Sequence, residues 1–219
     1  MDMNKLISIA RDAMAQRKAH PMRERGFVFH HGLRVGRLAV NLYGGITGGR
    51  EGNTLVSEGG GAALLRQTQN HDLDILFAGG LFHDVAKGFA RHEEVGAQLV
   101  RVLLKDECTP EEVEQIAFLV EHHNRPGPGL PIAARVVHDA DALDHVGAQM
   151  VWLAFQYSAN AESGPSDCAR YYFSSQHERH LAHLRESLNF DLSRELFDRR
   201  RQIETRFFER FLAELDGAP

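Results

Sequence analysis

Cysteine is scarce in this sequence, and basic residues are not in excess. The two cysteines, Cys108 and Cys168, lie far apart and outside any CxxC pattern, so they favour free thiols in a reducing compartment over a disulfide framework or a zinc ribbon. The formal net charge is -5, which provides no basic surface for nucleic acid. We therefore expect neither a disulfide scaffold nor a nucleic-acid partner.

Long apolar runs are also missing. No uninterrupted apolar stretch is long enough to cross a bilayer, and the first residues form an amphipathic helical pattern with charges throughout, unlike a signal peptide. The expectation is a cytoplasmic protein with no membrane partner. With 219 residues and 43% hydrophobic content, the chain can bury the core of one compact domain.

Apolar residues recur at helical spacing in nearly every segment, whereas the alternation typical of strands is scarce, which predicts an all-α fold. Thr109, Pro110 and Glu112 form the pattern of a capped helix start. The glycine-rich segment 44–61 predicts a flexible insertion, either a lid over a pocket or a passive surface loop. Helices are expected at about 4–18, 24–43, 72–87, 92–104 and 110–123, from about 132 onward, and within 167–188 and 192–215.

The last predicted helix has an apolar stripe, formed by Leu196, Ile203, Phe207 and Phe211. Residues at this spacing lie on one side of a helix, so this stripe is expected to face the core.

The sequence has thirteen histidines, and several of them share a helical context with aspartates. Each alone is more often a packing or surface residue than a ligand. Together, imidazole nitrogens and carboxylate oxygens are the donors that hold divalent manganese, iron, cobalt, nickel or zinc, and helices that meet at one point can supply them. The candidates are His31, the pair His83 and Asp84, His92, the pair His122 and His123, and Asp141.

The pair His83 and Asp84 lies in an apolar segment that reads as a buried helix. Adjacent helical residues point about 100° apart, so the two side chains can lie on either side of a site between helices. The two oxygens of Asp84 could bridge two metal ions, and such ion pairs activate water and stabilise phosphoryl-transfer charge. Lys87 follows one turn later, where it either contacts a substrate phosphate or leaving oxygen, or neutralises the end of the helix dipole.

The order of these residues resembles a known family. The strings H-x-x-R-V at His31, F-H-D-x-x-K at His83 and D-A-D-x-L-D around Asp141 closely resemble the HD superfamily of metal-dependent phosphohydrolases, over about residues 26–147. The remainder is similar to the helical ending of small stand-alone bacterial HD-domain hydrolases. The resemblance implies one HD-type helical domain over 1–219, with an HD core at about 24–150, the insertion at 44–61 and a helical C-terminal part at 151–219.

The resemblance also implies a ligand set. His31, His83, Asp84 and Asp141 would bind one metal ion, and Asp84 would be catalytic and would bridge to a second ion if one binds. His92, His122 and His123 match the additional histidines of HD proteins with two ions; His122 is the preferred partner of His92, although His123 could replace or join it. With one ion, these three would line the pocket. The expected cofactor is one or two ions of manganese, iron, magnesium, cobalt, nickel or zinc.

Nearby residues are open to more than one interpretation. Asp139 is the residue most easily confused with Asp141, and its alternative role is a helix cap or a partner of a ligand. Arg34 either contacts a substrate phosphate or pairs with an internal carboxylate. Lys87 and Arg125 are the other candidates for contact with phosphate. His145 is assigned to the structure only.

The favoured function is hydrolysis of a phosphate ester or a nucleotide phosphoanhydride by a metal-activated water, with a small phosphorylated substrate, a nucleotide, as partner. Two alternatives keep the HD fold: a di-iron oxygenase, and a nucleotide-sensing module without turnover. A helical structural protein, in which the histidines never meet, is the remaining alternative.

Overall fold

The computed structural model describes residues 1–15, 27–48 and 71–218. These residues form helices and no strand, which confirms the all-α prediction for this part of the chain. The helices are α1 (Met3–Met14), α2 (Phe27–Thr47), α3 (His71–Phe82), α4 (His92–Leu103), α5 (Pro110–His122), α6 (Ile132–Asp144), α7 (Ala148–Asn160), α8 (Pro165–Tyr172), α9 (Ser175–Ser187) and α10 (Asp191–Leu215).

The start of α5 has the predicted cap. Thr109 accepts a hydrogen bond from the Glu112 backbone N–H at 3.3 Å, and the Glu112 carboxylate accepts one from the Thr109 N–H at 2.6 Å. This reciprocal pair satisfies two backbone donors that a helix start otherwise leaves without a partner. It fixes where α5 begins.

The predicted glycine-rich insertion begins later than expected. Helix α2 continues through Thr47, one turn beyond Tyr43, and the Thr47 hydroxyl donates to the Tyr43 carbonyl at 2.7 Å. A side-chain hydrogen bond of this kind is compatible with helical backbone near a helix end. The rest of the predicted insertion, 49–61, lies outside the described residues, as do 16–18 and 24–26 of the first two predicted helices.

The sequence predicts that the third helix extends to about residue 87, but the helix ends earlier. Helix α3 ends at Phe82, and His83 and Asp84 lie in the turns that follow. The His83 Nδ1 hydrogen-bonds to the Gly80 carbonyl at 2.8 Å, which is the acceptor that a continuing α-helix would use for the Asp84 N–H. The backbone tightens accordingly, since Val85 N–H donates to Phe82 O and Lys87 N–H donates to Asp84 O.

Helix α3 is the centre of the fold, because residues 75–86 are all buried. It lies against α2 at very short range: a Cβ on Gly32 would be 2.3 Å from the Leu81 carbonyl oxygen, and a Cβ on Gly80 would be 2.7 Å from the Gly36 Cα. Only glycine leaves room for such close backbone contact. This packing brings His31 of α2 beside His83.

The long helix expected from residue 132 is interrupted. Helix α6 ends at Asp144, and α7 starts at Ala148 after Gly147, whose φ of +108° lies outside the helical range. The break changes the chain direction immediately after the aspartates of α6. It separates the helix that carries Asp141 from the C-terminal helices.

The apolar stripe predicted for the last helix does not match its buried face. Ile203 is 52% exposed and Phe207 is 40% exposed, whereas Phe197, Glu204 and Phe208 are buried. The buried Glu204 carboxylate accepts a hydrogen bond from the Gly147 N–H at 2.6 Å. Leu196 and Phe211 of the predicted stripe pack against buried core residues, so the stripe prediction was wrong for Ile203 and Phe207.

Among the described residues, no helix combines the length and the apolar character that spanning a bilayer requires.

Candidate metal centre

Six side chains converge at the centre of the fold from five positions along the chain. His31 comes from α2, His83 and Asp84 from the turns after α3, and His92 is the first residue of α4; the remaining two are His123, which caps the end of α5, and Asp141 of α6. His31, His83, Asp84 and His123 are each at most 4% exposed. Burial of so many polar side chains is tolerated only where they satisfy one another or bind an ion.

The first group of potential ligands consists of His31, His83 and Asp141. His31 Nε2 lies 3.2 Å from His83 Nε2 and 3.1 Å from Asp141 Oδ1, and His83 Nε2 lies 3.5 Å from the same oxygen. Each of the three residues therefore directs one donor atom to a shared point.

The second group consists of Asp84, His92 and His123. Asp84 Oδ1 lies 3.4 Å from His92 Nε2 and 3.9 Å from His123 Nε2. The other oxygen, Oδ2, faces the first group, at 3.6 Å from His83 Nε2 and 3.9 Å from His31 Nε2. Asp84 therefore has one oxygen toward each group, which is the geometry of a bridging carboxylate.

Each of the four histidines has its Nδ1 close to an acceptor. The contacts are His31 to Asp144 Oδ2 at 2.8 Å, His83 to Gly80 O at 2.8 Å, His92 to Glu93 Oε2 at 3.3 Å, and His123 to Val120 O at 2.7 Å. A carbonyl or carboxylate oxygen only accepts, so the Nδ1 of His31, His83 and His123, which are hydrogen-bonded, carries the proton and the lone pair of the neutral ring lies on Nε2. This is how proteins orient metal-binding histidines.

The placement of the lone pairs on Nε2 matters most between His31 and His83. With both Nδ1 atoms protonated, the two neutral rings point Nε2 lone pairs at each other across 3.2 Å, an arrangement that requires a cation between them. That cation is either a proton or a metal ion. Nitrogen and carboxylate donors in this mixture fit a first-row divalent metal.

The ionisation states are consistent with a cation site. Burial opposes ionisation of Asp84, yet its interactions with the nearby rings of His83 and His92 hold its pKa well below the usual range. The same holds for Asp141, where burial is outweighed by His83 and by hydrogen bonds from His145 and His31. Carboxylates that remain ionised draw protons onto the neighbouring rings, and those are the protons that a metal ion replaces on binding.

The pKa shifts of the histidines differ between the two groups. Burial lowers the pKa of His31, but hydrogen bonds to Asp141 and Asp144 outweigh it and raise the pKa. Burial and the nearby His83 lower the pKa of His123 to about 4. His123 is therefore neutral near pH 7, which is the form that binds a metal.

His122, the preferred partner of His92 in the sequence interpretation, lies apart from both groups. Its ring stacks on Phe118, with centroids 4.1 Å apart, and its Nδ1 bonds to the Phe118 carbonyl at 2.9 Å. His122 and His123 point about 100° apart, and it is His123 whose Nε2 lies near Asp84, 3.9 Å from its Oδ1. The structure thus places His123, and not His122, beside Asp84 and His92, and the ligand role of His123 stays a prediction.

Three other predicted residues have distinct surroundings. Lys87 Nζ lies 3.0 Å from Asp84 Oδ2, so its ammonium borders the bridging carboxylate. Arg34 pairs with Asp144 through its Nε and Nη2. Arg125 is exposed in the turn after α5.

Asp139 and Asp141 are clearly separated by the structure. Asp139 is fully buried and accepts hydrogen bonds from the backbone N–H groups of Asn189 and Phe190, at 2.9 and 3.2 Å. It thus ties α6 to the start of α10. Asp141, two residues further along α6, faces the histidines.

Sequence reasoning missed two carboxylates that orient histidines, Asp144 and Glu93. Both had a signal: Asp144 is the last aspartate of D-A-D-x-L-D, one turn after Asp141, and Glu93 follows His92 directly. Burial opposes ionisation of Asp144, but hydrogen bonds from His31 and Arg34 hold its pKa below the usual value. Asp144 therefore stays an acceptor for His31.

The comparisons with known proteins identify a family and a fold. The model of the HD domain family matches residues 28–145, more than half of the chain. An HD-superfamily hydrolase from Bacillus thuringiensis has a similar fold, with a TM-score of 0.62 and 20% identity over 98% of this chain and 97% of that chain. Comparison with curated proteins gives no significant match.

Two further solved structures are similar over nearly their whole length. Bacillus subtilis YpgQ in complex with ADP has a TM-score of 0.59 and 17% identity, covering 99% of both chains. An HD-superfamily hydrolase from an uncultured Thermotogales bacterium has a TM-score of 0.58 and 19% identity, covering 97% of this chain and 92% of that chain. At these identities the likeness shows the fold, and the family model shows the family. The chain therefore belongs to the HD domain family and has the fold of the small bacterial HD-superfamily hydrolases.

Proposed function

We propose that this protein is a metal-dependent hydrolase of phosphate esters or nucleotide phosphoanhydrides. The observation that carries the proposal is Asp84, whose Oδ2 lies 3.6 Å from His83 Nε2 while its Oδ1 lies 3.4 Å from His92 Nε2. A carboxylate shared between two groups of nitrogen donors is the arrangement of dinuclear hydrolases. Divalent ions bound there would supply an activated water and neutralise the charge that develops on the phosphoryl group.

Each ligand has a defined task. His31, His83 and Asp141 would hold one ion, His92 and His123 would hold the other, and Asp84 would contribute an oxygen to each. The four Nδ1 contacts keep the rings in one orientation, so that the donor atoms are preorganised before any ion binds. His122 takes no part in this set.

Lys87 is the cation that we assign to the reaction. Its Nζ lies 3.0 Å from Asp84 Oδ2 and its side chain is 36% exposed, so it is both next to the centre and accessible from solvent. Bound divalent ions would neutralise the charge of Asp84. The Lys87 ammonium could then turn to a phosphoryl oxygen or donate a proton to a leaving oxygen. Arg125, exposed beside the end of α5, is the further candidate for contact with a distal phosphate.

The substrate class that we favour is a nucleotide, with the reaction in the cytoplasm. The structure of YpgQ, which has a similar fold, contains ADP. Both cysteines of this chain are free thiols, as expected in a reducing compartment. The free thiols support the compartment and do not bear on the substrate.

The test measures release of phosphate or pyrophosphate from nucleoside mono-, di- and triphosphates and from a generic phosphodiester by manganese-loaded protein. Asp84→Asn removes the shared carboxylate charge at constant size, and we expect it to lower turnover at least about 100-fold, since even partners outside the ligand set cost 10- to 100-fold. Asp106→Asn, which changes an exposed aspartate, is the matched control and should be unchanged.

The alternatives predict different results. A di-iron oxygenase would be inactive with manganese and would consume oxygen in the iron form. A nucleotide sensor would bind metal and nucleotide without releasing phosphate. Either pattern, in protein shown to contain metal, would contradict the proposed hydrolase.

A further inference from the structure

Arg34 makes a two-pronged contact with Asp144. Its Nε donates to Asp144 Oδ1 at 2.9 Å and its Nη2 donates to Oδ2 at 2.9 Å. This fork geometry is the strongest form of an arginine–carboxylate pair, and it uses the edge of the guanidinium that would otherwise bind a phosphate. The arginine is therefore already committed to a partner within the protein.

Asp144 is at the same time the acceptor that holds His31. Its Oδ2 lies 2.8 Å from His31 Nδ1, so the one carboxylate links the guanidinium and the imidazole. His31 and Arg34 are one turn apart on the same side of α2, and Asp144 reaches between them from α6. The three residues form a chain that ends at His31 Nε2.

His31 depends on this chain more than His83 and His123 depend on their acceptors. His83 and His123 bond to carbonyls of the backbone just before them, Gly80 and Val120, which the helices hold rigidly. His31 instead bonds to a side chain from another helix, and that side chain has rotamers of its own. Without a second contact, the carboxylate could turn away from the ring.

We infer that Asp144 positions His31 and that Arg34 positions Asp144, so that Arg34 acts on the metal centre and makes no contact with substrate phosphate. The inference rests on the proposed function only in requiring that the centre binds metal. Loss of either residue leaves the donor atoms present but frees the His31 ring to rotate. The first ion site is then weakened, while the site formed by Asp84, His92 and His123 is preserved.

The experiment compares Arg34→Met, Arg34→Lys and Asp144→Asn with the wild type by calorimetric titration of Mn²⁺ into metal-free protein. Outer partners of metal ligands usually contribute 10- to 100-fold in affinity, so we expect one of two manganese sites to weaken by about that factor. Arg34→Lys keeps the charge without the fork and should weaken it less than Arg34→Met does. Arg37→Met, an exposed arginine one turn further along α2, is the matched control and should bind as the wild type does.

Thermal unfolding establishes that each variant is folded, and Asp144→Asn retains an acceptor oxygen of the same size if Arg34→Met proves unstable. On substrate, the inference predicts a lower kcat at limiting manganese that saturating manganese restores, with KM unchanged. A raised KM with unchanged manganese affinity would overturn it, because that is the result expected of an arginine that binds phosphate. Unchanged affinity in all three folded variants would also overturn it.

The two proposals fail separately. Weakened manganese binding in protein that releases no phosphate would refute the hydrolase and support the positioning chain. Normal turnover with unchanged manganese binding in the variants would support the hydrolase and refute the positioning chain. A wild-type protein that binds no manganese, iron or zinc would overturn both.

Discussion

At the scale of single residues, the acceptor of each Nδ1 decides the chemistry of the centre. A histidine whose Nδ1 donates to a carbonyl has only Nε2 left for a ligand, and the direction of that lone pair follows from the backbone. His122 and His123 both bond to carbonyls of α5, Phe118 O and Val120 O, but only His123 has its Nε2 near Asp84. The pair therefore provides an internal comparison.

Replacement of His123 by alanine should remove one of two bound manganese ions and lower turnover at least about 100-fold, whereas His122→Ala should retain both ions. The reason is that His123 Nε2 belongs to the group with Asp84 and His92, while the His122 ring packs on Phe118. Metal content by atomic emission after gel filtration measures the difference. Equal loss of metal in the two variants would show that the orientation of one or both rings is not as described.

Lys87→Met should lower kcat about 100-fold, the smaller end of the effect of a positioned acid, and leave two manganese ions bound. Lys87 contacts Asp84 through its ammonium but contributes no ligand atom. Steady-state kinetics and metal analysis of the same preparation test this. If the variant instead lost metal, Lys87 would be a structural partner of Asp84 and not a group that acts on the substrate.

At the scale of elements, glycines determine how close α2 and α3 come. Two helices with ordinary side chains pack 8–10 Å apart, and smaller residues allow a closer approach. Gly32 and Gly36 of α2 face Gly80 and Leu81 of α3 with no space for a Cβ. His31 and His83 meet across this contact, so the helix spacing sets the distance between two ligand atoms.

Gly80→Ala should therefore destabilise the protein by about 1–3 kcal/mol, as overpacking does, and should also weaken manganese binding. The added Cβ would lie 2.7 Å from Gly36 Cα and 2.8 Å from Gly36 N, and backbone atoms can move only if the helices separate. Gly44→Ala is the control, because its Cβ would meet nothing within 4 Å and alanine in the last turn of α2 should be neutral or stabilise by up to about 1 kcal/mol. Chemical denaturation of both variants gives the comparison; a neutral Gly80→Ala would contradict the close approach.

At the scale of the whole molecule, α10 contacts α2 and α6 and connects the C-terminal helices to the part that carries the ligands. Arg200 of α10 donates to the Leu143 carbonyl, and Glu204 accepts from the Gly147 N–H. These contacts hold both ends of the break between α6 and α7. We propose on this basis that residues 1–219 form one domain.

Glu204 should make the stability of the protein depend on pH. Burial raises the pKa of Glu204 from its usual 4.5 to about 7, although the Gly147 N–H and Tyr172 hydroxyl oppose the shift. Between these two values the folded state binds more protons than the unfolded state, so the free energy of unfolding falls as pH rises from about 4.5 to 7 and is level above that. The expected contribution is on the order of 2 kcal/mol.

The measurement is urea denaturation of the wild type and of Glu204→Gln at pH 5 and pH 7.5. The glutamine variant keeps an acceptor for the Gly147 N–H but does not titrate, so it should lose less stability over this interval than the wild type does. The difference between the two proteins isolates Glu204 from other titrating groups. Identical pH dependence in both would show that Glu204 ionises normally.

The sequence alone determined the all-α class and the capped start of α5, and its resemblance to the HD family named the six residues that converge together with His122, which lies apart from them. Helical periodicity and capping are local properties, and the spacing of His31, His83-Asp84 and Asp141 is visible without coordinates. The tertiary structure decided the choice of His123 over His122, the role of Asp144 and the buried face of α10. These depend on contacts between residues far apart in the chain, such as Asp144 with His31 and Gly147 with Glu204, and on the residue at which a helix ends. Local periodicity contains no information about either.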